Sequence, residues 1–125
     1  MPTSHIIQVT ALAEFLSEHS DASQARFAFS YTITISNRGN VPARLLTRHW
    51  IITDANGKVQ EVHGKGVIGE QPLIQPGRFF RYTSGTLLST PVGTMQGSYE
   101  MITEDGVTFD AIIQPFRLAM PELVH

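Results

Sequence analysis

Residues 26–36 read Arg26-Phe27-Ala28-Phe29-Ser30-Tyr31-Thr32-Ile33-Thr34-Ile35-Ser36, and this stretch decides the fold class. Phe27, Phe29, Tyr31, Ile33 and Ile35 fall on one side of an extended chain, with Ala28, Ser30, Thr32, Thr34 and Ser36 on the other. A period of two in aromatic and β-branched residues marks a strand buried on one face, because successive side chains of a pleated strand point to opposite sides. Asn37-Arg38-Gly39-Asn40 then supplies turn chemistry. A second strand is predicted over Arg44–Thr53, with Leu46, Trp50 and Ile52 on one face and Leu45, Thr47, His49 and Ile51 on the other. Asn56-Gly57 follows and readily takes the positive φ angles of a tight hairpin turn, so Lys58–His63 is expected to fold back antiparallel.

Working outward, Pro76-Gly77 introduces a strand over Arg78–Ser84, and Asp105-Gly106 joins Met95–Thr103 to Val107–Gln114 as a second hairpin. Near the start, Ile7, Val9, Ala11, Ala13 and Phe15 alternate again, while Glu14–Ala25 is the one segment where a short helical turn fits. About seven short strands without a long helical pattern predict an all-β, antiparallel sandwich or barrel. Tyr99 on a late strand and Trp50 on an earlier central one favour an immunoglobulin-like, fibronectin type III-like β-sandwich. By that analogy the Tyr99 hydroxyl bonds back to nearby backbone and Trp50 fills the core. No repeat, linker or low-complexity segment divides residues 1–125, which read as a single domain.

Composition narrows the function. The chain has 125 residues, 42% of them hydrophobic and 16% charged, enough for one ordinary core. A formal charge of −2 gives no general attraction to nucleic acid, whose binding rests largely on Lys and Arg neutralising phosphates. The absence of cysteine excludes disulfides and thiolate metal sites. The residues Met1-Pro2-Thr3-Ser4-His5 lack a signal-peptide pattern, and no apolar stretch approaches the roughly 20 residues of a membrane span, so a cytoplasmic protein away from the membrane is expected.

Gly64-Lys65-Gly66-Val67-Ile68-Gly69 matches G-x-G-x-x-G, the dinucleotide fingerprint. That motif works when it follows a strand, opens a helix that receives the pyrophosphate, and precedes an acid about 20 residues on. Only the strand is predicted here: Pro72, Pro76 and Gly77 crowd the segment that follows, and no acid occurs between Glu70 and Glu100. No nicotinamide, flavin or other cofactor is therefore expected. A smaller role is open to the loop, because glycine-freed backbone N–H groups can form an anion nest without a helix. The candidate ligand-binding set is Gly64, Lys65, Gly66 and Gly69 with Arg78 and Arg81, the two arginines forming a basic outer side to a strand whose core side carries Phe80 and Tyr82. Its ligand would be phosphate or pyrophosphate.

Catalytic and metal chemistry find less support. His49 and His63 flank the Asn56-Gly57 turn, but zinc usually takes three or four protein ligands and no HExxH-like cluster appears, so no metal site is predicted. Asp54-Ala55-Asn56-Gly57 does not fit the calcium loop, and G-x-S-x-G is absent. Glu61, Glu100, Glu104 and Asp110 have no spacing that marks an acid/base pair, so no enzyme is predicted and the four read as solvated charges.

Longer blocks are more specific. Arg48-His49-Trp50-Ile51-Ile52-Thr53-Asp54 and Glu61-Val62-His63-Gly64-Lys65-Gly66-Val67-Ile68-Gly69-Glu70-Gln71-Pro72 stand beside Pro76-Gly77, Tyr82-Thr83-Ser84-Gly85, Thr90-Pro91-x-Gly93-x-Met95-x-Gly97-x-Tyr99 and Pro115-Phe116-Arg117-Leu118. With these, the chain resembles the bacterial ApaG family from about His5 to Met120. Lys65 departs from the family pattern, which has a proline or another residue there as often. The resemblance implies a fibronectin type III-like sandwich and a name taken from a gene grouped with a diadenosine tetraphosphate hydrolase, without implying that activity. It also implies links to cobalt and magnesium tolerance, and related domains fused to eukaryotic F-box and polymerase-interacting proteins. The expected role is a non-catalytic protein-interaction module with an unidentified protein partner. The alternatives are a sensor of a phosphate or pyrophosphate ligand at Gly64–Gly69, and a dinucleoside polyphosphate hydrolase.

Overall fold

The computed structural model describes residues 6–121; the leader reading of Met1–His5 lies outside them. Eight strands follow in order: β1 (Ile7–Phe15), β2 (Phe27–Asn37), β3 (Ala43–Asp54), β4 (Val59–Lys65), β5 (Leu73–Ile74), β6 (Phe79–Leu88), β7 (Val92–Thr103) and β8 (Thr108–Ala119). The strand beyond the expected seven is β5, whose two residues are too short to carry a periodic signal. Glu14–Ala25 does contain helical turns, two 3₁₀ pieces at Ser17–His19 and Ala22–Gln24.

The strands form two antiparallel sheets, one in the order β1-β2-β6 and the other β4-β3-β7-β8 with β5 paired to the start of β3. β2 is the central strand of the first sheet, and Phe27, Phe29, Tyr31, Ile33 and Ile35 all point into the core as the alternation predicts. β1 packs against β8 of the opposing sheet and closes that side of the sandwich.

Two bulges change what alternation alone predicts. In β3, Leu45 lies opposite Met101 and Thr47 opposite Glu100, which leaves Leu46 as an extra residue. One extra residue switches the buried parity, so Ala43 and Leu45 are buried before the bulge and Trp50 and Ile52 after it. The expected core position of Leu46 is therefore taken by Leu45. In β8, Met95 faces Phe116 and Gly97 faces Ile113, so the extra residue falls at Gln114-Pro115. Ala111 and Ile113 are buried before it and Leu118 after it. A bulge is also where a strand tolerates proline, which has no N–H to give to the ladder.

Both predicted hairpins form, with a different turn from the one expected. Asp54 N–H donates to Lys58 O and Gly57 N–H to Asp54 O; Thr103 N–H donates to Val107 O and Gly106 N–H to Thr103 O. Each is a three-residue loop closed by one left-handed glycine, at φ 82° for Gly57 and 86° for Gly106. Asn56 does not share the positive φ, because the Asp54 carboxylate accepts from Asn56 N–H and Lys58 N–H and caps the wider loop.

Trp50 sits between the sheets, 2% exposed, with its ring edge-on to Tyr31 at 5.3 Å, Phe116 at 5.9 Å and Tyr99 at 6.3 Å. The Tyr99 hydroxyl corrects the tyrosine-corner analogy. It bonds not to nearby backbone but to the Tyr82 hydroxyl at 2.5 Å, across the core from β7 to β6. Two buried phenols thereby satisfy each other, as buried polar groups must.

That pair makes stability pH-dependent. Burial is the main cause that pushes the Tyr82 hydroxyl from its ordinary 10.0 up to about 12, and burial followed by the charge of Tyr82 pushes Tyr99 up as well. A raised folded-state pKa means the contribution is complete below pH 10 and is lost as pH climbs through the folded value. Each phenol can contribute about 1.4 kcal/mol per pH unit within that window. Urea melts are expected to show a loss of about 2 kcal/mol between pH 9 and pH 11 beyond that of the Tyr82→Phe/Tyr99→Phe variant. Parallel profiles for the two proteins would contradict the assignment.

Candidate functional site

The G-x-G-x-x-G stretch forms the end of β4 and a tight turn, and β5 follows it rather than a helix. Each of its glycines has a separate structural cause. Arg48, on the core-facing parity of β3, lays its guanidinium over Gly64 and donates from Nη1 to Lys65 O at 3.2 Å and Gly66 O at 2.8 Å. A Cβ on Gly64 would lie 2.5 Å from the Arg48 Cζ. At Gly66, φ is 66° and a Cβ would meet Glu70 O at 2.3 Å. Gly69, at φ 78°, completes with Ile68, at φ 41°, a turn closed by reciprocal bonds between Val67 and Glu70. Two successive left-handed residues are the geometry in which glycine is cheapest.

Those bonds also commit two of the amides within Gly64–Gly69, and that of Glu70 just after them. Gly66 N–H donates to Leu46 O, Val67 N–H to Glu70 O and Glu70 N–H to Val67 O. The structure brings Gly64, Lys65, Gly66 and Gly69 into one segment but does not bring the arginines to it as a pair. Arg78 and Arg81 are three residues apart and cannot share a strand face. Arg78 precedes β6 in the turn whose N–H bonds Gln75 O, while Arg81 points outward from the first sheet, bonding Thr34 Oγ1 at 2.9 Å and lying over the Phe79 ring. Lys65, paired with Thr47, points outward from the second sheet, on the other side of the sandwich. The inward partners of Arg81 on β6 are Phe80 and Tyr82, as expected.

Arg48 was not among the predicted site residues. The signal for it was its place in the run with Trp50, where a cation on the core-facing parity needs partners. Here these are the two loop carbonyls, and its charge also acts on both buried phenols.

The outer face of the second sheet holds a second group. His49 and His63 are directly opposite each other on β3 and β4, their rings stacked with centroids 4.2 Å apart and planes 10° from parallel. Glu61, two residues before His63 on β4, places Oε2 2.7 Å from His49 Nε2. One ligand atom from each of the three lies within 4.8 Å of the others. Glu61, read from sequence as a solvated charge, is thus held against a histidine.

The third feature is the open side of the sandwich. β6 and β4 end their sheets there, each pairing with one neighbour. Between them runs a shallow cleft lined by Ile52, Lys58, Gln60, Leu87 and Leu88. Phe79 and Leu87, near the two ends of β6, are each 58% exposed. No helix among the described residues is long and apolar enough to cross a membrane.

Comparison with known proteins agrees with this architecture. The family model of the ApaG domain matches residues 17–103. Protein ApaG of Pseudomonas syringae pv. tomato is 56% identical over 119 residues, covering 95% of this chain and 94% of that protein. Protein ApaG of Aromatoleum aromaticum is 59% identical over the same length and coverage. Among solved structures, that of an ApaA protein from Bordetella pertussis superposes with a TM-score of 0.91 at 48% identity, covering 93% of this chain and 94% of that one. None of these names describes a catalytic activity. The chain belongs to the ApaG domain family.

Proposed function

We propose that this domain is a non-catalytic recognition module that captures an extended segment of a partner protein on the free edge of β6. The observation that carries the reading is this edge: ten residues of strand, paired on one side only, with Phe79 and Leu87 exposed near its ends. A strand edge offers a row of backbone donors and acceptors to an incoming chain, and flanking side chains select its sequence. β4 is the shorter edge at seven residues, and β1 and β8 are packed together on the far side. In the glycine loop, by contrast, Gly66 and Val67 N–H and the Arg48 guanidinium are engaged in internal bonds. Links between the family and cobalt or magnesium tolerance would then run through the captured partner.

The test compares proteins captured from bacterial lysate by the wild-type domain and by the Phe79→Lys/Leu87→Lys variant, identified by mass spectrometry. Lysine blunts an edge, and both positions are exposed enough that stability should change by no more than about 0.5 kcal/mol each. Partners held by the wild type and lost by the variant support edge recognition. Equal capture by both, or pyrophosphate binding at Gly64–Gly69 with no capture at all, contradicts it; the second outcome would favour the anion-sensor alternative.

A further inference from the structure

The geometry points to a surface site for a divalent transition-metal ion, such as Zn²⁺ or Ni²⁺, formed by His49, Glu61 and His63. The site does not depend on edge recognition by β6. Two imidazoles and one carboxylate are a ligand set that such ions favour, and three protein ligands leave further positions for water. The three side chains come from adjacent strands, so the β3–β4 ladder fixes their spacing without any loop. Their ligand atoms lie within 4.8 Å of one another, whereas two ligands on one tetrahedral zinc stand about 3.3 Å apart, given metal–ligand bonds of about 2.0–2.1 Å. The His49–Glu61 contact at 2.7 Å has to open slightly and the wider separations have to close, which takes small side-chain rotations. Room for them exists, since the side chains of His49 and Glu61 are 31% and 55% exposed. Parallel rings 4.2 Å apart already place both imidazoles on one side of the hairpin, and Glu61 is already in contact with His49.

The bland account is a cross-strand packing pair with a hydrogen bond, which stabilises a hairpin without binding anything. The two accounts differ in what a metal does. Mg²⁺ prefers an all-oxygen octahedral shell and should be ignored by this set.

The experiment is calorimetric titration of Zn²⁺ into untagged protein, followed by Ni²⁺ titration watched in the histidine ring signals by NMR. Binding of one Zn²⁺ is expected with a Kd on the order of 1–100 µM. His49→Gln and His63→Gln should each weaken it about tenfold or more, while His19→Gln, away from the cluster, should leave it unchanged. Ni²⁺ should broaden the His49 and His63 ring signals together at concentrations that spare His19, and Mg²⁺ should move neither. Thermal melts of the variants check that they remain folded. No Zn²⁺ binding, affinity retained by the His49→Gln/His63→Gln variant, or Ni²⁺ broadening centred on another histidine would each overturn the site.

Discussion

Gly97→Ala is expected to remove the native fold, at a cost of more than about 4 kcal/mol. Gly97 lies on β7 directly opposite Trp50 of β3, on the core-facing parity of its strand. A Cβ there would stand 1.9 Å from His49 O, 3.0 Å from the His49 carbonyl carbon and 3.2 Å from the Trp50 Cα. These are backbone atoms of a central strand, so no rotamer change relieves the contact. The strands would have to separate where both Trp50 and the His49–His63 pairing are anchored. Since domains of this kind are stable by only about 5–15 kcal/mol, the variant should lose its cooperative denaturant transition or most of it. Gly57→Ala is the control: nothing lies within 4 Å of its added Cβ, and only the φ of 82° opposes it. Its cost should stay near 1–2 kcal/mol, roughly the penalty of left-handed backbone in an L-residue. Urea melts of the two variants check both values, and a Gly97→Ala midpoint close to wild type would show that β3 and β7 are not held as close as described.

Trp50→Ala is expected to cost about 3–5 kcal/mol, the range for removing a buried large aromatic and leaving a cavity. The indole is nearly sealed from solvent and touches aromatic rings from both sheets: Tyr31 from the first, Tyr99 and Phe116 from the second. Its loss therefore loosens the contact between layers rather than one strand. An unchanged urea midpoint would remove Trp50 from the centre of the core.

The strand pattern was legible in sequence where the ladder is regular. β2 has no bulge, and every residue assigned to its buried face is buried. On β3 the same reasoning placed Leu46 inside, because an extra residue in a strand leaves no mark in its composition; only the facing strand reveals it. Pro115 carries such a mark on β8, since a regular ladder position disfavours it, yet the strand expected to end at Gln114 continues past the bulge to Ala119.

The His49–His63 pair was legible as two histidines flanking a turn, but without Glu61 as a third ligand, and their direct pairing depends on one residue of register. A two-residue Asn56-Gly57 turn would set Ala55 opposite Lys58 and His49 opposite Gly64, sending His63 to the core face. The actual loop sets Asp54 against Lys58, and so His49 directly against His63 with Glu61 beside them. Turn chemistry predicted a hairpin in either case, but the choice between the two registers lies in the capping bonds of Asp54. The glycine motif was legible as a loop after a strand. What the glycines accommodate, an inward arginine and a doubly left-handed turn, depended on contacts from β3 that no spacing encodes.

The claim that this domain recognises an extended partner on β6 is tested most directly by amide hydrogen exchange, measured residue by residue on the free domain and on its complex with the captured segment. Alternate amides along Phe79–Leu88, those directed away from β2, should exchange freely in the free domain and become protected in the complex, because an added strand takes up every second N–H of the edge. Protection confined to Gly64–Gly69, or a complex that leaves the outward amides of β6 as exchangeable as before, would contradict the account.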